Sequence, residues 1–377
     1  MRTIRVGLIG AGFIGAVHAK ALSVVPEGTL AAVSDLDESR ARALAEPAGA
    51  AAYGNYREMC ARENLDGVVV ATSDAAHRDP CVAAARAGAQ IFVEKPLATT
   101  LGDCDIIAAE AERHGVSVLV GHTLRWEPRY ALAKESIARG DIGDVSYIYA
   151  RRCNVISVAR RVGASTNVAR FLAVHDIDWV HWALGERPHS VLARAGWRML
   201  SDMGTPDVYC ILMRFPSGAL ACIEAAWILP EAGSRQLDFQ LEVLGSNGSL
   251  AISVNDQGLS TDGVGGLRYS DVVYFPVLRG KPQGVYVEEM RHFIEIVRSR
   301  VSGSGQADRD DGPSTGSGSP RGRRQEPLRA EPRGGASAPA TQPLCTVEEG
   351  RAAVSVVLAA EHSAQSGEEV HLPTFAQ

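Results

Sequence analysis

Residues 4–15 read Ile4-Arg5-Val6-Gly7-Leu8-Ile9-Gly10-Ala11-Gly12-Phe13-Ile14-Gly15, an apolar run that ends in closely spaced glycines. The run predicts a β-strand, and residues 16–22 after it favour a helix. Glycines at this spacing let the backbone turn tightly and approach a pyrophosphate at the helix N-terminus. The stretch therefore predicts a parallel α/β sheet with a dinucleotide site. Its contact residues would be Gly10, Gly12, Phe13, Ile14 and Gly15.

A carboxylate follows the second predicted strand, 30–34. This residue, Asp35, lies twenty positions after Gly15 (35 − 15 = 20). A carboxylate there accepts hydrogen bonds from the adenosine ribose hydroxyls and repels a 2′-phosphate, so the sequence favours NAD over NADP. Arg40 is close in sequence and leaves NADP as the alternative.

Strands and helices alternate over the first 120 or so residues. Further strands are predicted over 67–71, 91–94 and 116–121, with helices over 38–45, 56–62, 79–87 and 101–114. Repeated β-α-β units imply a doubly wound parallel sheet, a Rossmann domain that we assign to residues 1–122.

The strand 91–94 ends in Glu94-Lys95-Pro96. Proline cannot continue a central strand, so the charged pair is expected at the carboxyl edge of the sheet, where ligands bind. A lysine there can be partly desolvated and ready for proton transfer. The alternative is a surface ion pair before a loop. Thr72 and His77 follow another strand and are also expected at this edge, where His77 either contacts the cofactor or caps the loop.

The pattern changes after residue 122. Successive apolar runs at 145–152, 190–197, 208–215, 219–227 and 237–244 predict a large, mostly antiparallel open sheet, with a hairpin turn at 245–248. Helices are predicted over 128–139, 171–184 and 285–301, and residues 154–170 are expected to be irregular. Residues 123–377 therefore form a predicted α+β domain for substrate binding and oligomerisation.

An insertion interrupts this second domain. Residues 302–343 are rich in Gly, Ser, Pro and charged residues, with few large apolar side chains, so we expect them to be disordered. Helical periodicity resumes over 346–363, and 370–372 adds a final strand.

The composition excludes several classes of protein. The formal net charge of −6 gives no basic excess for nucleic acid or an anionic membrane surface. Seven scattered cysteines without a Cys-x-x-Cys pair disfavour a disulfide framework and a structural zinc site. No apolar segment approaches the ~20 residues that span a bilayer. We expect a cytoplasmic protein whose partner is a small polyhydroxylated molecule.

A cluster of ionisable residues lies on the predicted helix 171–184: His175, Asp176, Asp178 and His181. His175 and Asp178 are one turn apart. A metal site would need further ligands, and no spacing identifies them, so we predict none. The polar residues either brace the helix or place His175 as a proton donor or acceptor for a substrate hydroxyl.

Together these motifs resemble the Gfo/Idh/MocA oxidoreductases: the glycine turn, Asp35, the Thr72 to His77 loop, Glu94-Lys95-Pro96, Arg125 and His175-x-x-Asp178. The resemblance covers the chain outside the insertion. It implies an NAD-binding Rossmann domain, followed by an α+β domain whose open sheet packs in homodimers or homotetramers. It also implies that Lys95 contacts the reacting hydroxyl and the nicotinamide ribose, that Glu94 positions cofactor or lysine, and that His175 is the acid/base.

One position departs from the inositol dehydrogenase-like members of that family, which have an aspartate four residues before the histidine. Phe171 stands there. An aspartate one turn back can orient the imidazole, and phenylalanine cannot. Either Lys95 and His175 suffice, or Asn167 or Arg170 reaches in, or the protein does not perform ordinary hydride transfer.

The resulting hypothesis is an NAD-dependent oxidoreductase. It would transfer hydride between nicotinamide and a secondary alcohol or ketone of a sugar, cyclitol, nucleotide-sugar or amino-sugar. An NAD-dependent glycosidase and a non-catalytic NAD-responsive sensor are the alternatives. Besides His175, the expected substrate-binding residues are Arg125, Arg152, Asn154, Asn167 and His122.

Overall fold

The computed structural model describes residues 2–162, 165–232, 236–255, 257–264, 266–304 and 341–373. Most of the insertion predicted at 302–343 lies outside the described residues, so its disorder stays a prediction. Within the described part of the chain, no helix combines the length and the apolar composition needed to cross a membrane.

The N-terminal third forms a six-stranded sheet in which every neighbouring pair is parallel. Its strands are β1 (Ile4–Ile9), β2 (Gly28–Ser34), β3 (Ala51–Tyr53), β4 (Gly67–Val70), β5 (Gln90–Glu94) and β6 (Val118–Gly121). Their order across the sheet is β3-β2-β1-β4-β5-β6. This confirms the predicted Rossmann sheet. The strand order reverses between β1 and β4, which opens a crevice at the carboxyl ends of the strands.

Helices cover both faces of this sheet: α1 (Phe13–Leu22), α2 (Glu38–Ala45), α3 (Tyr56–Arg62), α4 (Arg78–Arg86) and α5 (Leu101–His114). Alternate side chains of β4 enter different apolar clusters, Val69 with α1 and α2, and Val68 and Val70 with α3, α4 and α5. The strand is an unbroken apolar run because it is buried on both faces.

The second sheet has seven strands in the order β12-β11-β7-β10-β9-β8-β17. They are β7 (Val145–Val155), β8 (Ser190–Gly196), β9 (Val208–Arg214), β10 (Leu220–Leu229), β11 (Leu237–Gly245), β12 (Ser249–Ser253) and β17 (Val370–His371). Only β7 and β10 pair in parallel, so the predicted mostly antiparallel sheet is confirmed. Two short ribbons follow β12: β13 (Ser260–Gly263) with β14 (Gly266–Tyr269), and β15 (Val277–Leu278) with β16 (Lys281–Pro282).

Helices α6 (Pro128–Arg139), α8 (Val174–Leu184) and α10 (Val347–Ser366) pack on one face of the second sheet, with Trp179 and Val356 in the shared core. Helix α9 (Val285–Ser304) packs on the first sheet, where Met290 and Phe293 join the cluster that contains Val69. A helix from the predicted second domain therefore helps to cover the Rossmann sheet.

The segment predicted to be irregular, 154–170, is more ordered than expected. Strand β7 continues to Val155, because Asn154 lies opposite Leu237 and Val155 lies opposite Leu229. A short helix, α7 (Ile156–Val162), follows and buries Ala159. The prediction of an irregular segment was wrong here, since these pairings join residues more than seventy positions apart.

Candidate active site

The glycine-rich turn after β1 provides the space that a dinucleotide requires. Gly10 has a φ of 100°, and a Cβ atom there would lie 2.4 Å from the Ala71 carbonyl oxygen. A Cβ atom at Gly12, which precedes α1, would meet no atom within 4 Å. The first turn of α1 therefore faces open space, with backbone N–H groups available to phosphate oxygens.

Asp35 follows β2 at the same end of the sheet. Its carboxylate accepts hydrogen bonds from the backbone N–H groups of Ala11 at 2.7 Å and Asp37 at 2.9 Å. Arg40, the residue that left NADP open, is exposed, and its Nε lies 3.3 Å from Asp37 Oδ2. The fixed Asp35 carboxylate favours the free ribose hydroxyls of NAD over a 2′-phosphate.

A cavity of about 1020 Å³ runs from the glycine turn to the second sheet. Its wall includes Gly12 and Asp35 as well as Lys95, Arg152 and His175. Ligand pockets commonly enclose ~300–1,000 Å³, so this volume has room for a dinucleotide and a small substrate together. Most of the predicted cofactor residues thus share one cavity with the predicted catalytic pair, whereas Gly15 and His77 do not line it.

Lys95 extends into this cavity from the loop after β5. Its Nζ donates a hydrogen bond to the Phe171 carbonyl oxygen at 3.0 Å and lies 4.5 Å from the centre of the Phe171 ring. Burial lowers the pKa of Lys95, although the nearby Asp74 and Glu94 charges act to raise it. A poorly hydrated ammonium group is suited to stabilise negative charge that develops on an adjacent oxygen.

Glu94 holds the backbone beside Lys95. One carboxylate oxygen, Oε1, lies 2.7 Å from His18 Nε2, and the other accepts a hydrogen bond from the Lys95 backbone N–H at 3.1 Å. Burial acts to raise the pKa of Glu94, but the hydrogen bond to His18 and the neighbouring positive groups, Lys95 among them, together outweigh it and lower that pKa below its usual value. These contacts support a positioning role for Glu94. No sequence motif indicates His18, because its contact with Glu94 joins α1 to β5.

The helix that carries His175 begins with a wide turn. Residues Ala169–Ala173 are π-helical, and α8 starts directly after them. A π-helix joins residues five apart, so its carbonyl oxygens leave the ordinary α-helical pattern. The Phe171 carbonyl oxygen in this turn accepts the hydrogen bond from Lys95. This hydrogen bond therefore connects Lys95 to the helix that carries His175, its predicted catalytic partner.

His175 lies on the cavity wall, and its Nδ1 is buried without a hydrogen-bond partner among the described residues. Burial lowers the pKa of His175 well below its usual value, and the positive charges of Lys95 and Arg152 lower it further. The imidazole is therefore neutral near pH 7 and can accept a proton.

Arg152 reaches the cavity from β7 with its charge already paired. Its Nε and Nη2 donate hydrogen bonds to the two oxygens of Asp176, at 2.7 and 2.9 Å, and both side chains are buried. The guanidinium also lies 4.3 Å from the centre of the Phe239 ring. Asp176 neutralises the charge of Arg152. Arg152 can therefore donate hydrogen bonds to a substrate, but it adds little net positive charge to the cavity.

Arg125 was expected at the substrate rim, but the structure places it inside the protein and off the cavity wall. Its Nε and Nη2 donate to Asp178 at 2.9 and 2.8 Å, and its Nη1 donates to Glu349 at 2.8 Å. Burial acts to raise the pKa of Asp178, but the charge and hydrogen bonds of Arg125, together with the neighbouring histidines, outweigh it and lower that pKa. Asp178, one turn after His175, therefore braces α8 against Arg125.

His122, Asp178 and Cys345 bring potential ligand atoms within 4.8 Å of one another. His122, also expected at the rim, is 1% exposed, and its Nδ1 lies 3.8 Å from Asp178 Oδ2. Both oxygens of Asp178 already accept hydrogen bonds from Arg125, and burial raises the pKa of the Cys345 thiol. A guanidinium so close opposes a metal ion, so the cluster does not fit a metal centre well.

Asn167 and Arg170, the groups that were candidates to replace an aspartate at Phe171, do not line the cavity. The Asn167 amide donates to Glu361 Oε1 at 2.7 Å, and the Arg170 guanidinium donates to both Glu361 oxygens at 2.6 and 2.7 Å. The geometry therefore supports neither group as a partner for His175, nor Asn167 as a substrate contact. Asn154 does line the cavity, and its Oδ1 is buried without a described partner.

His77 lies behind the cavity wall, whereas Thr72 lines it. The two ring nitrogens of His77 lie 2.9 Å from the Pro96 carbonyl oxygen and 3.3 Å from the Thr72 carbonyl oxygen. The buried imidazole thus holds together the loops that flank Lys95. This position favours a structural role over the cofactor contact that the sequence suggested as one alternative.

Part of the substrate side of the wall consists of residues that no sequence motif predicts. Leu237, Phe239 and Tyr274 line the cavity, and the Tyr274 hydroxyl is buried without a described partner. The pairing of Phe239 with Arg152 across β11 and β7 brings this side chain to the cavity. The alternation of apolar and polar residues along β11 is a sequence signal for one buried face, but only the register shows that Phe239 on this strand meets the cavity.

Comparisons with known proteins agree with this architecture. Residues 4–122 match the model "Oxidoreductase family, NAD-binding Rossmann fold", and residues 130–251 match the "GFO/IDH/MocA C-terminal domain". The myo-inositol 2-dehydrogenase of Thermotoga maritima is 28% identical over 310 residues, which cover 78% of this chain and 89% of that protein. Inositol 2-dehydrogenase 2 of Saccharopolyspora erythraea is 32% identical over 262 residues, covering 66% of this chain and 73% of that protein.

Solved structures extend the likeness to the whole chain. The crystal structure of a probable dehydrogenase from Thermotoga maritima superposes with a TM-score of 0.76 at 25% identity, covering 98% of both chains. Both halves of the fold and the cofactor turn thus lead to one assignment. The chain belongs to the GFO/IDH/MocA family of oxidoreductases, and its cofactor is NAD.

Proposed function

We propose that this protein oxidises a secondary alcohol of a cyclitol or a related sugar with NAD, or reduces the corresponding ketone. The observation that carries the proposal is that Lys95 and His175 line the same cavity as the glycine turn. The relatives named inositol 2-dehydrogenases support a cyclitol as the substrate.

The residues present fit NAD. The open space at Gly12 admits the pyrophosphate, which the first turn of α1 would bind, with Phe13 and Ile14 beside it on the wall. Asp35 would accept the adenosine ribose hydroxyls. Bound NAD supplies the hydride acceptor.

His175 acts as the base in the oxidation direction. Its neutral imidazole accepts the proton of the substrate hydroxyl, because burial keeps its pKa well below its usual value. Lys95 donates a hydrogen bond to the same oxygen and stabilises the charge that rises as the C–H bond breaks. In the reduction direction His175 returns the proton.

The rest of the wall suits a ring that carries both hydroxyl groups and C–H bonds. Arg152, Asn154 and Tyr274 offer polar atoms, and the last two have buried polar atoms without a described partner. Phe171 and Phe239 offer aromatic surface on which C–H groups can pack. The aromatic ring of Phe171 reduces the number of polar contacts available to a substrate near Lys95. A substrate with few hydroxyls on that side therefore fits best.

The proposal is tested by following NADH absorbance with a panel of cyclitols, sugars and nucleotide-sugars, with NADP as the control cofactor. Lys95→Met and His175→Ala should retain NAD binding and lose turnover by at least ~100-fold, the usual contribution of an acid/base group. Unchanged turnover in both variants would overturn the assignment. Hydrolysis of a glycoside without accumulated NADH would identify a glycosidase, and tight NAD binding without turnover would identify a sensor.

We also propose that the open face of the second sheet joins copies of the chain into a homodimer or homotetramer. Leu212, Leu220 and Leu244 are exposed there, and Cys210 lies among them. Exposed apolar side chains on a broad sheet face favour such an interface. Light scattering should show a dimer or tetramer that Leu212→Arg weakens, and a monomeric wild type would contradict the proposal.

Two further assignments stay proposals. We place the domain division at residues 122 and 123, with the insertion inside the second domain. We place the protein in the cytoplasm, a location supported by seven free cysteines. Cell fractionation would test the location.

A further inference from the structure

Helix α7, which follows β7 of the second sheet, places Arg161 at the cofactor end of the cavity. The Arg161 guanidinium carbon lies 4.9 Å from the centre of the Phe13 ring. Both residues line the cavity, and Phe13 is 60% exposed. Phe13 is the first residue of α1, directly after Gly12. Arg161 therefore lies on the cavity wall beside the N-terminus of α1, close to the turn proposed to bind the cofactor pyrophosphate.

Apart from its contact with the Phe13 ring, the Arg161 guanidinium has no partner of opposite charge among the described residues. Of the other arginines on the wall, Arg78 pairs with Asp79 and Asp103, and Arg152 pairs with Asp176. Arg161 is exposed and forms no hydrogen bond or ion pair with any residue that the structure describes. A pyrophosphate would bring two negative charges to this end of the cavity, and an unpaired guanidinium is well suited to bind them.

The segment after α7 is anchored to the first sheet's half of the protein near the same cavity. Thr166 donates a hydrogen bond from its hydroxyl to Asp74 Oδ2 at 2.6 Å, and both residues line the cavity. The stretch between β7 and α8 thus contacts the N-terminal half of the protein at two residues, Phe13 and Asp74. This second contact keeps α7 beside the cavity in the absence of substrate.

We propose that Arg161 is a cofactor-binding residue from the second domain, which binds the pyrophosphate of NAD opposite the N-terminus of α1. The glycine turn then supplies backbone N–H groups from one side and Arg161 supplies a cationic side chain from the other. Neither the sequence motif nor the family assignment identifies this residue. The inference depends on the cofactor and not on the identity of the substrate.

The test compares Arg161→Gln with Arg160→Gln in the full chain. Arg160 is the neighbouring residue on α7, is also exposed, and lies 3.4 Å from Asp202 instead of facing Phe13. Binding of NADH is followed by fluorescence, and binding of ADP-ribose and adenosine by calorimetry. ADP-ribose keeps the pyrophosphate and adenosine lacks any phosphate, so the pair separates a charge contact from a general disturbance of the site.

We expect Arg161→Gln to raise the Kd of NADH and ADP-ribose about 5- to 30-fold. This is at the lower end of the ~10- to 150-fold range of a hydrogen bond to a charged group, because Arg161 is exposed to solvent. The dependence of Kd on salt should also weaken, and adenosine binding should stay within twofold of wild type. Arg161→Lys should recover part of the loss, and Arg160→Gln should match wild type. NADH affinity within twofold of wild type in Arg161→Gln, or an equal loss for adenosine, would overturn the proposal.

Discussion

Replacing Phe171 with aspartate should raise the pKa of Lys95. The Lys95 Nζ lies 4.5 Å from the centre of the Phe171 ring, so a carboxylate at that position would face the ammonium group directly. At 4.5 Å, two unit charges attract by ~3.7 kcal/mol at an effective dielectric constant of about 20, and by ~0.9 kcal/mol in bulk water. Since one pKa unit corresponds to ~1.36 kcal/mol, the range is about 0.7–2.7 units.

Water in the open cavity screens part of this attraction, so we expect a rise of about 1–2 units. The sign follows from the charges: burial alone disfavours the ammonium form of Lys95, and a new carboxylate favours it. Phe171→Asn is the matched control, because it has the same size and hydrogen-bonding capacity without the charge. It should leave the Lys95 pKa closer to that of the wild type.

The chain contains four lysines, Lys20, Lys95, Lys134 and Lys281, which makes the assay tractable. Reductive methylation with labelled formaldehyde gives each lysine a separate carbon signal, and Lys95→Met identifies the signal of interest. Titration of that signal reports the pKa without any substrate. Equal Lys95 pKa values in Phe171→Asp and Phe171→Asn would refute the placement of residue 171 beside the ammonium group.

Three further predictions concern Arg125, Asp35 and His175. Arg125→Leu should lower the free energy of unfolding by ~3–5 kcal/mol, because Asp178 would stay buried without its partner. Chemical denaturation measures this loss, which Arg125→Leu combined with Asp178→Leu should partly reverse; no loss would show that Arg125 is not structural. Asp35→Ser should narrow the preference for NAD over NADP by ~10-fold or more, measured as the ratio of Kd values, and an unchanged ratio would exclude Asp35 from the ribose site. For oxidation, kcat/KM should stay on its plateau down to about pH 6.5 and fall at lower pH as His175 becomes protonated; a midpoint at or above about 6.5 would contradict the lowered pKa of His175.

The parallel sheet and its cofactor turn were accessible from the sequence because their signals are local. The apolar run 4–9, the three glycines and Asp35 all lie within one β-α-β unit, and the structure confirms the sheet. The glycine pattern carries information about backbone shape directly, since Gly10 adopts a φ of 100° that other residues rarely adopt. Lys95 was located by the same reasoning, from a proline at a strand end.

The substrate side was harder to predict because its contacts join distant parts of the chain. Arg125 and Arg152 are both arginines near strand or helix ends, yet only Arg152 reaches the cavity. Sequence could not reveal that Asp178 and Glu349 hold Arg125 inside, since Glu349 follows more than two hundred residues later. Asn167 was expected to contact the substrate, and its actual contact was hidden for the same reason, because its partner Glu361 lies on α10.

The π-helical turn at Ala169–Ala173 also bears on how relatives of this protein can diverge. One residue advances an α-helix by about 100°, so deleting a single residue here would rotate the preceding segment by more than a quarter turn. A different side chain would then face the Lys95 ammonium group, while His175 and everything after it stayed in place. One three-nucleotide deletion in the gene could therefore change the neighbour of Lys95, a change that point substitutions would need several steps to reproduce.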